Sequence, residues 1–131
     1  MPGVAEPRDP LPLRWIRAHG LQSLTPWHFV DDPSERAGLQ KEFRLEVSAG
    51  SQPVTDILPF ARRQDCDDVA AFIVEAGTVT DDVVIVHLTW RQGPEQPGYP
   101  SIHRCRDFWD WLETALADTR EWASEDELAD L

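Results

Sequence analysis

The chain has 131 residues, 41% of them hydrophobic and 27% charged, with 12 Lys and Arg against 24 Asp and Glu for a net charge of −12. That length predicts one domain able to bury a core without metal or disulfide staples, and the composition argues against wholesale disorder. The acidic balance, with Lys41 as its one lysine, argues against nucleic acid as a ligand, and no apolar run reaches the roughly 18 residues of a membrane span.

Residues 1–8 carry Pro2, Gly3 and Pro7 and are expected to be loose. Asp9 followed by Pro10 reads as an N-cap and first helical residue, with Gly20 as the stop. The short helix between them would place Leu11, Trp15 and Ala18 on one side, with Leu13 and Ile16 beside them. Residues 27–30 read as an edge strand or extended loop. Asp32-Pro33-Ser34-Glu35 repeats the cap signal with Glu at the capping-box position. Leu39, Phe43 and Val47 follow at helical spacing, although Phe43, Leu45 and Val47 also alternate like a strand; a helix to about residue 44 is expected.

Residues 48–55 read as loop, and strands are predicted over 56–62, 69–75 and 83–89. Val83-Val84-Ile85-Val86 is β-branched and apolar on both faces, which predicts a central strand. Residues 77–82 supply the turn of an antiparallel hairpin. Residues 91–100 form a long loop rich in Gly and Pro, and residues 99–105 a short last strand. The clearest helix follows: Phe108, Trp111, Leu112, Ala115, Leu116 and Trp122 trace one apolar stripe, with Asp107 as N-cap. The acidic tail, residues 124–131, is expected to fray.

Charge concentrates in Leu58-Pro59-Phe60-Ala61-Arg62-Arg63-Gln64-Asp65-Cys66-Asp67-Asp68-Val69-Ala70-Ala71-Phe72, between two apolar runs. A tight turn needs only Gly, Asn or Asp at its special backbone angles. The surplus charge therefore suggests a surface kept for a partner, a substrate or an internal Arg–Asp network. Three readings of Asp65, Asp67 and Asp68 stand side by side. They are turn residues pairing with Arg62 or Arg63, a patch facing a basic protein, or a divalent-metal site. The metal reading is the weakest, since the Gly and spaced acids of a calcium loop are missing.

His19, His28, His87 and His103 show no spacing that converges on a metal or a catalytic triad, and no cofactor motif is present. Cys66 and Cys105, with no secretion signal at the N-terminus, are expected to be free thiols in a cytoplasmic protein. Trp111 and Trp122 read as core. Trp90, Tyr99 and Trp109 lie off the stripe or beside the long loop, and exposed aromatics next to acids make binding anchors.

The segment Leu58 to Asp65, followed by Asp67-Asp68-Val69-Ala70, resembles a signature of the SUKH superfamily, the Smi/Knr-like domains. Phe108-Trp109-Asp110-Trp111-Leu112 resembles the aromatic helix start that closes those domains, and Trp27-His28-Phe29 the segment before their first strand. Ala71-Phe72 departs mildly from the Cys or small residue that family members often place before an aromatic. The resemblance implies a single α+β domain, a small antiparallel sheet packed with helices and closed by a long amphipathic C-terminal helix. It implies no enzymatic activity and no cofactor. Many bacterial members are implied to be immunity proteins that bind and neutralise a toxin, and a eukaryotic branch to be regulatory scaffolds. For this acidic chain the expected partner is a basic protein, met by Asp65, Asp67, Asp68, Trp90, Tyr99 and Trp109. A small hydrolase using an Asp/His site is the contrasting reading.

Overall fold

The computed structural model describes residues 9–48, 54–88 and 101–123. Its organisation follows from the strand β4 (Asp68–Glu75), whose side chains alternate strictly between two apolar clusters. Val69, Ala71 and Ile73 belong to one cluster, and Ala70, Phe72 and Val74 to the other. A strand apolar on both sides must be covered on both sides. The remaining elements supply that cover.

Strands β1 (Ser23–Leu24), β2 (Trp27–Phe29), β3 (Ile57–Arg63), β4, β5 (Thr78–His87) and β6 (Ser101–Cys105) pair antiparallel in chain order into one six-stranded sheet. Helices α1 (Leu11–Ala18) and α3 (Phe108–Trp122) cover one face through Leu13, Phe108, Trp111 and Ala115. Helix α2 (Pro33–Ser48) covers the other through Leu39, Phe43 and Val47. The chain is a single α+β domain, and no described helix is long and apolar enough to cross a membrane.

Helix α2 runs past residue 44 to Ser48, because the i, i+4, i+8 residues Leu39, Phe43 and Val47 all bury against the sheet while Leu45 stays exposed. The helical period prevails over the strand-like alternation because only it gathers the apolar groups on the covered side. Pro33 occupies the first turn, and the Ser34 N–H donates to Asp32 Oδ1 at 2.9 Å. At α3 the expected cap is realised: Asp107 Oδ1 accepts from the Asp110 N–H at 2.9 Å.

Two local expectations, the Asp9 cap and the full α3 stripe, give way to tertiary demands. Asp9 does not cap α1. Its carboxylate is buried against Arg36 of α2, whose Nη2 donates to Oδ1 at 2.9 Å. Of the two apolar sides of α1, the one with Leu13 turns inward together with Arg17, and the Leu11/Trp15 side stays exposed. Arg17 tolerates burial because its guanidinium donates to the Leu21 and Gln22 carbonyls, pairs with Asp31 and lies 4.4 Å from the Phe29 ring centre. On α3 the stripe stops short, with Leu116 exposed and Trp122 only half-buried.

The hairpin turn is also tighter than residues 77–82. The β-branched Thr78, Val79 and Thr80 extend β5, and Ala76-Gly77 alone connect the strands, both at positive φ (49° and 79°). Positive φ at both central residues suits a mirror-image hairpin turn, where Asn-Gly is the favoured pair. Ala76 is therefore strained. Ala76→Asn is expected to stabilise the domain by about 0.5–1 kcal/mol. An unchanged or lowered urea midpoint would refute the strain.

Candidate functional site

The charged 58–72 segment becomes β3, a turn and β4, and its turn walls a cleft of about 520 Å3. His28 of β2, Glu35 of α2, Arg62 and Arg63 of β3, and Asp65 and Asp67 of the turn line it. The turn is held down by the Gln64 N–H donating to the Pro26 carbonyl at 2.9 Å, and the Leu88 N–H donates to the Asp67 carbonyl at 3.2 Å. His28 Nε2 meets Gln64 Oε1 across the opening.

Both arginines are neutralised where they stand. Arg62 donates to Glu35 at 2.9 Å. Arg63 forks onto Asp65 with two bonds of 2.8 Å and reaches Asp118 of α3 at 3.3 Å. The fork from Arg63 holds the Asp65 carboxyl below its ordinary value, and the same bond raises Arg63. Asp118 also accepts from the Trp27 indole N–H at 2.9 Å, so Arg63 and Trp27 share one carboxylate.

The three aspartates thus have three fates. Asp65 belongs to the arginine network. Asp68 lies 2.8 Å from His87, its antiparallel register partner. The Asp67 side chain lines the cleft and has no side-chain bond among the described residues. No group of three His, Cys, Asp or Glu able to hold a metal ion occurs among the described residues.

Burial shapes both thiols. The exposed Cys66 is pushed up by desolvation, which makes it a weak nucleophile at neutral pH. Cys105 is buried under α3 and pushed from 9.0 up to about 11, chiefly by desolvation. The native state therefore keeps this proton to higher pH than the unfolded chain does. Stability should be intact below about pH 9 and fall as pH rises toward 11, by up to about 3 kcal/mol from this group. Urea unfolding at pH 8 and pH 10.5 checks this. Cys105→Ala should flatten the alkaline slope, and an unchanged slope would remove the assignment.

The opposite end of α3 carries a different surface. Trp15 of α1 and Trp109 of α3 are 54% and 44% exposed and meet edge to face at 6.3 Å. Leu11 (69%) and Leu116 (51%) are exposed on the same two helices. Trp15 stacks on His19 at 3.9 Å. Trp109, Leu112 and Leu116 form a second stripe beside the buried Phe108, Trp111 and Ala115.

Of the residues singled out from sequence, Asp65, Asp67 and Asp68 gather at the β3–β4 turn, and Trp109 does not join them. Asp118, which touches Arg63, lies roughly 13 Å along α3 from Trp109. Trp90 and Tyr99 lie outside the described residues. Sequence reasoning missed Leu11, Trp15 and Leu116. The available signal was an α1 of eight residues with apolar groups on two faces, Leu11/Trp15 and Leu13/Ile16, when a single sheet contact buries only one.

Comparison with protein-family models, with curated proteins and with solved structures returns no match to this chain.

Proposed function

We propose that the domain is a stoichiometric protein-binding module of the SUKH immunity type, acting in the cytoplasm to occlude a basic toxin without turnover. The observation that carries this reading is the exposed Trp15–Trp109 pair, with Leu11 sharing a pocket with Trp109, on a chain of net charge −12. Large aromatic groups held in water at 44–54% exposure forgo burial that a partner can supply, and tryptophan is enriched among the hot spots of protein interfaces. The surrounding acidity selects the partner's sign and accelerates encounter. The Asp65–Asp68 turn then forms a second, charged contact at the far end of α3, with Asp67 as its unneutralised carboxylate.

The test uses the tagged full chain as bait in lysate of its source cell, at low and high salt. A basic protein captured near one-to-one is expected. It should arrest growth when expressed alone and be tolerated when the chain is co-expressed. Trp15→Ala with Trp109→Ala should weaken that complex by at least about 2 kcal/mol, roughly thirtyfold, while leaving the thermal midpoint nearly unchanged. Capture undiminished in the double variant would overturn the docking face. A spread of weak, unrelated proteins would replace immunity with a scaffolding role.

A further inference from the structure

Below Trp109 the surface sinks into a pocket of about 360 Å3 that the preceding reading leaves without an occupant. Its floor is the aromatic edge of the core, Phe72 of β4 and Phe108 of α3. Leu11 and Trp109 form apolar walls, and Asp81 of β5 and Asp107 stand at the rim. We propose that this pocket is a socket for an arginine side chain presented by the partner protein, a proposal that rests on the Trp15–Trp109 face being the docking surface.

The chemistry is asymmetric in a way that selects the ligand. Apolar walls accept a chain of methylenes, and the face of Trp109 attracts a cation through the ring quadrupole. A purely apolar occupant would strip water from two carboxylates and return nothing to them. A guanidinium can lie flat on the indole and fork onto a carboxylate at once, which a lysine ammonium cannot do.

Both rim acids have capacity to spare. Asp107 spends Oδ1 on the Asp110 N–H, leaving Oδ2 for a ligand. The Asp81 carboxylate has no bond or ion pair with any described residue. The chain's own neighbouring guanidiniums are directed elsewhere. Arg106 Nε lies 3.8 Å from Asp110, and Arg104 lies 3.9 Å from Asp82. The first turn of α3 carries partial positive charge that disfavours a cation, but Asp107 and Asp110 together outweigh about half a unit of helix charge.

The probe is N-acetyl-argininamide, titrated into the full chain with the tryptophan indole N–H resonances followed by NMR and Trp109 assigned from Trp109→Phe. A saturable shift at the Trp109 indole is expected, with Kd of about millimolar for so small a ligand. N-acetyl-lysinamide should bind more weakly, and N-acetyl-norleucinamide should leave the resonance in place. Asp107 caps α3, so the diagnostic variant is Asp81→Asn on exposed β5, expected to weaken arginine binding about three- to fivefold. Equal shifts with the norleucine analogue, or no shift specific to Trp109, would overturn the socket. That failure is separable from failure of the docking face. Capture of a basic protein that is lost in the double tryptophan variant would stand even with an empty pocket.

Discussion

Replacement of Trp111 by alanine is expected to cost about 3–5 kcal/mol, a large share of the stability of a domain this size. Trp111 is fully buried at the centre of an aromatic cluster drawn from three elements, β2, β3 and α3. Its ring centre lies 4.9 Å from Phe60 of β3, 5.5 Å from Trp27 and 6.1 Å from Phe29 of β2, and 5.6 Å from Phe108 of its own helix. Edge-to-face geometry with Trp27, Phe29 and Phe60 adds to the area buried. These neighbours are rigid rings anchored in two strands and in α3 itself, so they cannot converge on the space an alanine would leave. Trp27 is further pinned through its indole N–H to Asp118, which limits relaxation from the β2 side.

Trp111→Phe supplies the control. The Trp111 indole N–H finds no acceptor among the described residues, so the native residue already carries a desolvation cost. Phenylalanine removes that cost while leaving a smaller void, and should therefore lose clearly less stability than alanine. Urea unfolding followed by far-UV circular dichroism measures both. An alanine variant within about 1 kcal/mol of the parent would mean that α3 is not held by this cluster.

The second large effect concerns Asp9. Asp9→Asn is expected to cost about 3–5 kcal/mol, because it leaves the Arg36 guanidinium buried beside a neutral amide. The side chains of Arg36 and Asp9 are 5% and 1% exposed, and both Arg36 Nη groups donate to the carboxylate, at 3.2 and 2.9 Å. Arg36 has a further task. Its Nε donates to the Pro59 carbonyl at 2.6 Å, beside the register shift between Pro59 and Ala61 where β3 bulges against β4. The group thus fastens the segment before α1 and helix α2 to one irregular point in the sheet.

A double variant separates the pair from its context. Asp9→Leu with Arg36→Met removes both charges and should recover part of the loss. The Pro59 carbonyl would then be without Arg36, and about 1–3 kcal/mol should remain missing. A double-mutant cycle by urea unfolding gives the coupling. Because the pair is buried, the loss should persist at high salt, unlike that of the exposed Arg62–Glu35 pair. A single variant as stable as the parent would show that the contact carries no load.

Much of the candidate site was legible at the level of residue type. The 58–72 segment announced excess charge, and two of its readings can now be sorted residue by residue: Asp65 does pair with Arg63, while Asp67 lines an open cleft. Trp109 was visible as an aromatic off the main stripe. That it faces Trp15 was not, because the contact joins the first and last described helices. Nothing local to either helix encodes it.

Periodicity and cap chemistry by themselves determined where α3 starts, that α2 is a helix and that β3, β4 and β5 are strands. The Asp107 cap, the Phe108–Trp111–Ala115 stripe and the two-sided apolar run Val83–Val86 follow from interactions within a few residues of one another. Only the tertiary structure decided which face of α1 turns inward, that Asp9 pairs with Arg36, and that Leu11, Trp15, Trp109 and Leu116 remain in water. The physical reason is the range of the competing terms. Backbone propensity and capping act over one turn, whereas burying a charge or exposing an indole depends on groups that the fold brings in from far along the chain.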